Sequence, residues 1–93
     1  MREKQIEQKL VQAVRKSGGM CLKFVSPNFD GMPDRLILFP DGKIAFAELK
    51  APGKKPRPLQ LARHKILMNL GFRVYVIDSA ERIGAILDEI QST

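Results

Sequence analysis

The sequence predicts an α/β domain: a mixed β-sheet flanked by helices, in the order αβββαβ followed by a last helix. Three observations predict it. Apolar residues recur at helical spacing near both ends of the chain. Short apolar runs between residues 20 and 50 are separated by turn-forming residues. A helix–strand–helix pattern follows residue 58. The 93 residues support one core, so 1–93 is read as a single domain without internal repeat or linker.

Ile6, Leu10, Val11, Ala13 and Val14 recur every three or four residues between Glu3 and Ser17, and Gly18-Gly19 ends that helix. Met20 to Val25 reads as a strand that stops at Ser26-Pro27-Asn28, with a loop through Gly31. Asp34–Phe39 and Lys43–Lys50 form a hairpin around Pro40-Asp41-Gly42, expected as a type I turn with glycine in the left-handed position. The loop 51–57 cannot continue a strand, and Pro58 suits the first turn of a helix carrying Leu59, Ala62, Ile66, Leu67 and Leu70 before Gly71. Phe72 to Ile77 is the last strand. Asp78 or Ser79 then caps a helix with Ile83, Ile86, Leu87 and Ile90 on one stripe.

Sixteen Lys and Arg against ten Asp and Glu give a formal charge of +6, which favours a polyanionic partner such as nucleic acid. The single cysteine, Cys21, excludes an internal disulfide and reads as packing in a strand. The amino terminus lacks a signal-like stretch and no apolar run approaches a membrane span, so a cytoplasmic protein without membrane association is expected.

The chemistry converges on the hairpin. Alternation puts Ile44, Phe46, Glu48 and Lys50 on one face, where two charged residues end an otherwise apolar row. A three-residue loop sets Phe39 opposite Lys43, and the same register sets Asp34 opposite Glu48. Opposed carboxylates repel unless something positive lies between them. Mg²⁺ or Mn²⁺ meets that need, because one or two carboxylates can hold such an ion and leave room for water and a phosphate. Lys50 would then stand beside the phosphate, orienting water and offsetting developing charge, so phosphodiester hydrolysis is the expected reaction.

Glu7 shares a helical neighbourhood with Leu10, Val11 and Val14 and is expected to point inward as a further metal ligand, with Glu3 one turn earlier as its competitor. Gln60 could serve the site or cap its helix. Lys54, Lys55, Arg57, Arg63, His64 and Lys65 are read as gripping the DNA backbone; His64, without Cys or His partners, is a phosphate contact or plain surface. Considered singly, each charged residue has a plain reading as a loop end or a surface ion pair. Tyr75 is given no role.

Gly31-Met32-Pro33-Asp34 followed by Glu48-Leu49-Lys50 resembles the signature of the PD-(D/E)XK nucleases, and Gly31 to Asp34 is especially similar to the VRR-NUC branch. Gln60 after a proline, with Leu67 and Gly71, matches that branch's third motif, so the resemblance covers nearly the whole chain. It implies that Asp34 and Glu48 bind metal, that Lys50 assists the attack, and that Glu7 and Gln60 complete the site. Stand-alone members of this size look like phage or bacterial enzymes and are associated with branched DNA, including Holliday junctions. Paired cuts in a two-fold substrate call for two sites on a dyad, so a homodimer is expected. A catalytically silent DNA-binding module and a subunit that needs a partner are the rival readings.

Overall fold

The structure, a computed structural model, describes residues 1–92. Its elements are α1 (Glu3–Lys16), β1 (Met20–Lys23), β2 (Arg35–Phe39), β3 (Lys43–Leu49), α2 (Pro58–Asn69), β4 (Arg73–Ile77) and α3 (Ile83–Gln91), with a 3₁₀ turn at Ala80–Arg82 leading into α3. The four strands lie side by side in chain order; β1, β2 and β3 are antiparallel and β4 runs parallel to β3. The sheet is therefore mixed, as expected, because α2 carries the chain back across the sheet before β4. No helix among the described residues is long and apolar enough to cross a membrane.

The hairpin register runs from Phe39 opposite Lys43 to Arg35 opposite Ala47, which places Asp34 and Glu48 at the next paired position. The turn differs from expectation in one respect: Asp41 as well as Gly42 has positive φ. Two left-handed residues in succession match the twist of the flanking strands better than a type I turn, and Asp-Gly tolerates them.

Alternation gives the sheet two unlike faces. Ile37, Phe39, Ala45, Ala47, Leu49 and Ile77 pack with Ile6, Leu10 and Val14 of α1 and with Ile83, Ile86, Leu87 and Ile90 of α3. Burying each of the larger side chains contributes about 1.5–3 kcal/mol. On the opposite face, Phe46 meets Phe24 and Phe72 edge-on at 5.5 and 5.8 Å, and α2 packs over the β3–β4 side, while Met20 and Leu22 of β1 stay exposed. β3 is thus enclosed on both sides, and Glu48, near its end, is buried beneath α2.

Candidate active site

Each segment of the motif has a local reason for its shape. Gly31 takes φ +89°, and a Cβ there would lie 2.9 Å from Leu59 Cγ and 3.2 Å from Leu59 O, so only glycine lets this loop press on the start of α2. Pro33 is fully buried behind it. Asp34 then joins three strands. Its carbonyl accepts from Phe24 N–H at 2.8 Å, while its Oδ2 accepts from Leu49 N–H at 2.9 Å. The end of β3 is tied to β4 by Lys50 N–H donating to Ile77 O at 3.0 Å.

Glu48 is the centre of the arrangement, only 1% exposed. Gln60 donates from Nε2 to Glu48 Oε2 at 2.7 Å and accepts with Oε1 from Arg57 N–H at 2.8 Å. One side chain therefore caps α2 and holds the carboxylate, joining the two roles open to it in the sequence. Lys50 Nζ lies 3.6 Å from the same Oε2. His64 Nε2 faces the other oxygen, Oε1, at 3.5 Å, and both of these buried atoms lack a hydrogen-bond partner.

Burial first, and the Asp34 charge second, push the Glu48 carboxyl up to about 7, with Lys50 opposing the rise. Burial holds the His64 imidazole below its ordinary value; the Asp34 charge opposes that and Lys50 adds to it. A carboxylate that gives up its proton only near neutrality, beside a second carboxylate, is poised to accept a cation.

His64, expected among the residues that grip the DNA backbone, is instead 3% exposed beneath the sheet. It lies one helical turn after Gln60, and both face Glu48. That spacing was the available signal, masked by the surrounding basic residues. Glu7 is also placed differently from expectation. Its Oε2 accepts from Arg35 Nε at 2.9 Å, on the α1 face of the sheet. Glu3 is the α1 carboxylate whose charge bears on Glu48. Among the described residues no three His, Cys, Asp or Glu side chains cluster as a ready metal site. Asp34 and Glu48 remain, and two carboxylates with water suffice for Mg²⁺. The orphaned Glu48 oxygen fits such an ion.

Lys54, Lys55, Arg57 and Lys65 are exposed beyond the end of β3 and along α2. Arg63 is partly committed: Nε donates to Asp30 O at 2.8 Å and the guanidinium lies 3.9 Å above the Phe29 ring.

No family model matches the chain. A protein of Acyrthosiphon pisum secondary endosymbiont phage 1, described as "Putative nuclease p44", is 54% identical over 81 residues, covering 87% of this chain and 87% of the relative. A solved structure described as a VRR_NUC domain superposes with a TM-score of 0.86 at 28% identity, over 92% of this chain and 94% of its own. With the G-x-P-D loop, the E-x-K strand and the helical glutamine gathered at one end of the sheet, this chain belongs to the VRR-NUC nuclease family.

Proposed function

We propose that this protein is a Mg²⁺- or Mn²⁺-dependent endonuclease that hydrolyses phosphodiester bonds in DNA, selects branched DNA such as a Holliday junction, and works as a homodimer. The observation that carries the reading is the Glu48 carboxylate, buried and held by Gln60 beside Asp34 and Lys50. Asp34 and Glu48 would hold the ion, which when bound lowers the pKa of water and offsets charge on the phosphate. Gln60 keeps Glu48 in one orientation. Lys50 places an ammonium where charge develops on phosphorus. The water oxygen gives up a proton to solvent as it bonds to phosphorus, one P–O ester bond breaks, and the departing oxygen takes up a proton from solvent.

The homodimer reading is supported by α2. Its inward residues include Gln60 and His64, while Leu59, Leu61, Ile66, Met68 and Leu70 are exposed, Leu70 by 69%. Leu59, Ile66 and Leu70 share one exposed stripe of α2, and an apolar stripe of that kind calls for a cover. The same face favours the second reading, in which a partner protein completes the enzyme.

The test is cleavage of labelled four-way junction, flap and linear duplex side by side, with Mg²⁺, Mn²⁺ or EDTA, by the wild type and Lys50→Ala. Paired symmetric nicks in the junction, lost with EDTA and with Lys50→Ala, are expected. Salt-sensitive binding without cutting of any substrate would contradict the catalytic reading.

A further inference from the structure

Two basic grooves leave the end of the sheet that carries Asp34, Glu48 and Lys50, and they leave it on opposite faces. The first, about 540 Å³, lies between α1 and β1 and is lined by Lys4, Gln8, Arg15, Lys23 and Arg35, with Glu7 in its floor. Strand alternation puts Lys23 and Arg35 on the α1 face, because they pair with each other and Arg35 pairs with Ala47 of the α1-side core. Arg35 is fixed there by Glu7 and by the Cys21 carbonyl, which accepts from its Nη1 at 3.2 Å. The second groove, about 730 Å³, lies at β4 and is lined by Lys54, Lys55, Val74, Val76 and Arg82, the last paired with Asp78 at 3.6 Å, so among the described residues Lys54 and Lys55 carry its free charge. Val74 and Val76 pair with Phe46 and Glu48, so this groove opens on the α2 face. β1 and β4 are the two outer strands.

The first groove has the chemistry of a phosphate track. Lys4, Arg15 and Lys23 have no carboxylate within ion-pair distance among the described residues, and Glu7, the acid present, is already paired with Arg35. Lys4, Gln8 and Arg15 fall on one stripe of α1. From Lys4 to Arg15 the helix rises about 16 Å. That matches roughly five phosphates of one strand at about 3.4 Å of duplex axis each.

Resting on the nuclease reading above, we propose that the α1–β1 groove is a second DNA-backbone site, which holds an arm or strand that leaves the scissile position at an angle. DNA that lies in the β4 groove and continues across Asp34, Glu48 and Lys50 must change direction to enter the α1–β1 groove on the other face. Duplex is stiff over so short a distance, whereas a branch point changes direction without elastic cost. Selection of branched DNA then follows from two grooves on opposite faces, in addition to any symmetry of the assembly.

The experiment compares the wild type with Lys4→Gln/Arg15→Gln/Lys23→Gln, all exposed positions outside the catalytic group, and with Lys54→Gln/Lys55→Gln. Affinity for a four-way junction and for linear duplex of equal length is measured in EDTA over a series of salt concentrations. For the triple variant, junction affinity is expected to fall about tenfold or more, its salt slope to shallow by about two to three, and duplex affinity to change less than about twofold. The loop variant is expected to weaken both substrates. Equal losses on junction and duplex by the triple variant, or no loss on either, would overturn the proposal. Junction preference lost in the triple variant while the wild type cuts nothing in metal would retain this groove and reject the catalytic reading.

Discussion

Glu48 is held from the α2 side by Gln60 on one oxygen, while His64, one turn later, faces the other without a hydrogen bond. Its raised pKa ties the site to stability. An acid whose folded pKa is raised favours the folded state only while protonated, so this contribution is complete below pH 4.5 and lost as the pH rises through about 7. The loss is on the order of 3 kcal/mol. Metal-free Glu48→Gln is therefore expected to melt above the wild type at pH values beyond 7 and to converge with it below 4.5; parallel melting curves across that range would contradict the account. His64→Leu removes an unpartnered buried nitrogen 3.5 Å from the orphaned Glu48 oxygen, so its melting temperature is expected to hold or rise, while Mn²⁺ affinity falls about 10- to 100-fold through loss of the polar group that faces the metal-binding carboxylate. His64→Gln should recover part of that affinity. An unchanged Mn²⁺ titration in His64→Leu would remove His64 from the site.

At the scale of elements, the G-x-P-D loop and α2 form one unit, since Gly31 is pressed against Leu59 and Arg63. Gly31→Ala is expected to cost about 1–3 kcal/mol through its positive φ and the close Leu59 atoms, and to impair cutting by displacing Asp34. Gly84→Ala in α3, where a Cβ meets nothing within 4 Å, should instead stabilise by up to about 1 kcal/mol. Thermal melts of the two variants separate a loop built around glycine from a helix that merely tolerates it. The pairing of Asp34 with Glu48 was legible in the sequence because the short Pro40–Gly42 loop leaves the hairpin register little freedom. The partner of Glu7 was not. Helical spacing shows that a residue turns inward, but not that Arg35, 28 residues later, reaches it first. His64 was hidden for a related reason: a histidine between Arg63 and Lys65 reads as surface until α2 is docked on the sheet.

At the scale of the whole molecule, one sheet face is sealed by α1 and α3, and the other is covered in part by α2, which exposes Leu59, Ile66 and Leu70 along one flank. If a second copy covers that side, Ile66→Lys/Leu70→Lys should convert a dimer to a monomer in sedimentation, with the fold retained because both positions are exposed. A wild type that is monomeric at all concentrations would favour the partner-dependent reading. The VRR-NUC fold was legible from the order of elements and the three motifs, whereas the exposed apolar stripe of α2 was not: Leu59, Ala62, Ile66, Leu67 and Leu70 mark the helix in sequence, and of these Leu67 alone is buried.

The most direct test of the site is to compare Asp34→Ala and Glu48→Ala with the wild type for metal-dependent cutting and, in EDTA, for DNA binding. Both variants are expected to lose cutting by several orders of magnitude while binding DNA as well as the wild type or better, since each removes a negative charge near the phosphate. Cutting retained by both would contradict the assignment of Asp34 and Glu48 as the catalytic centre.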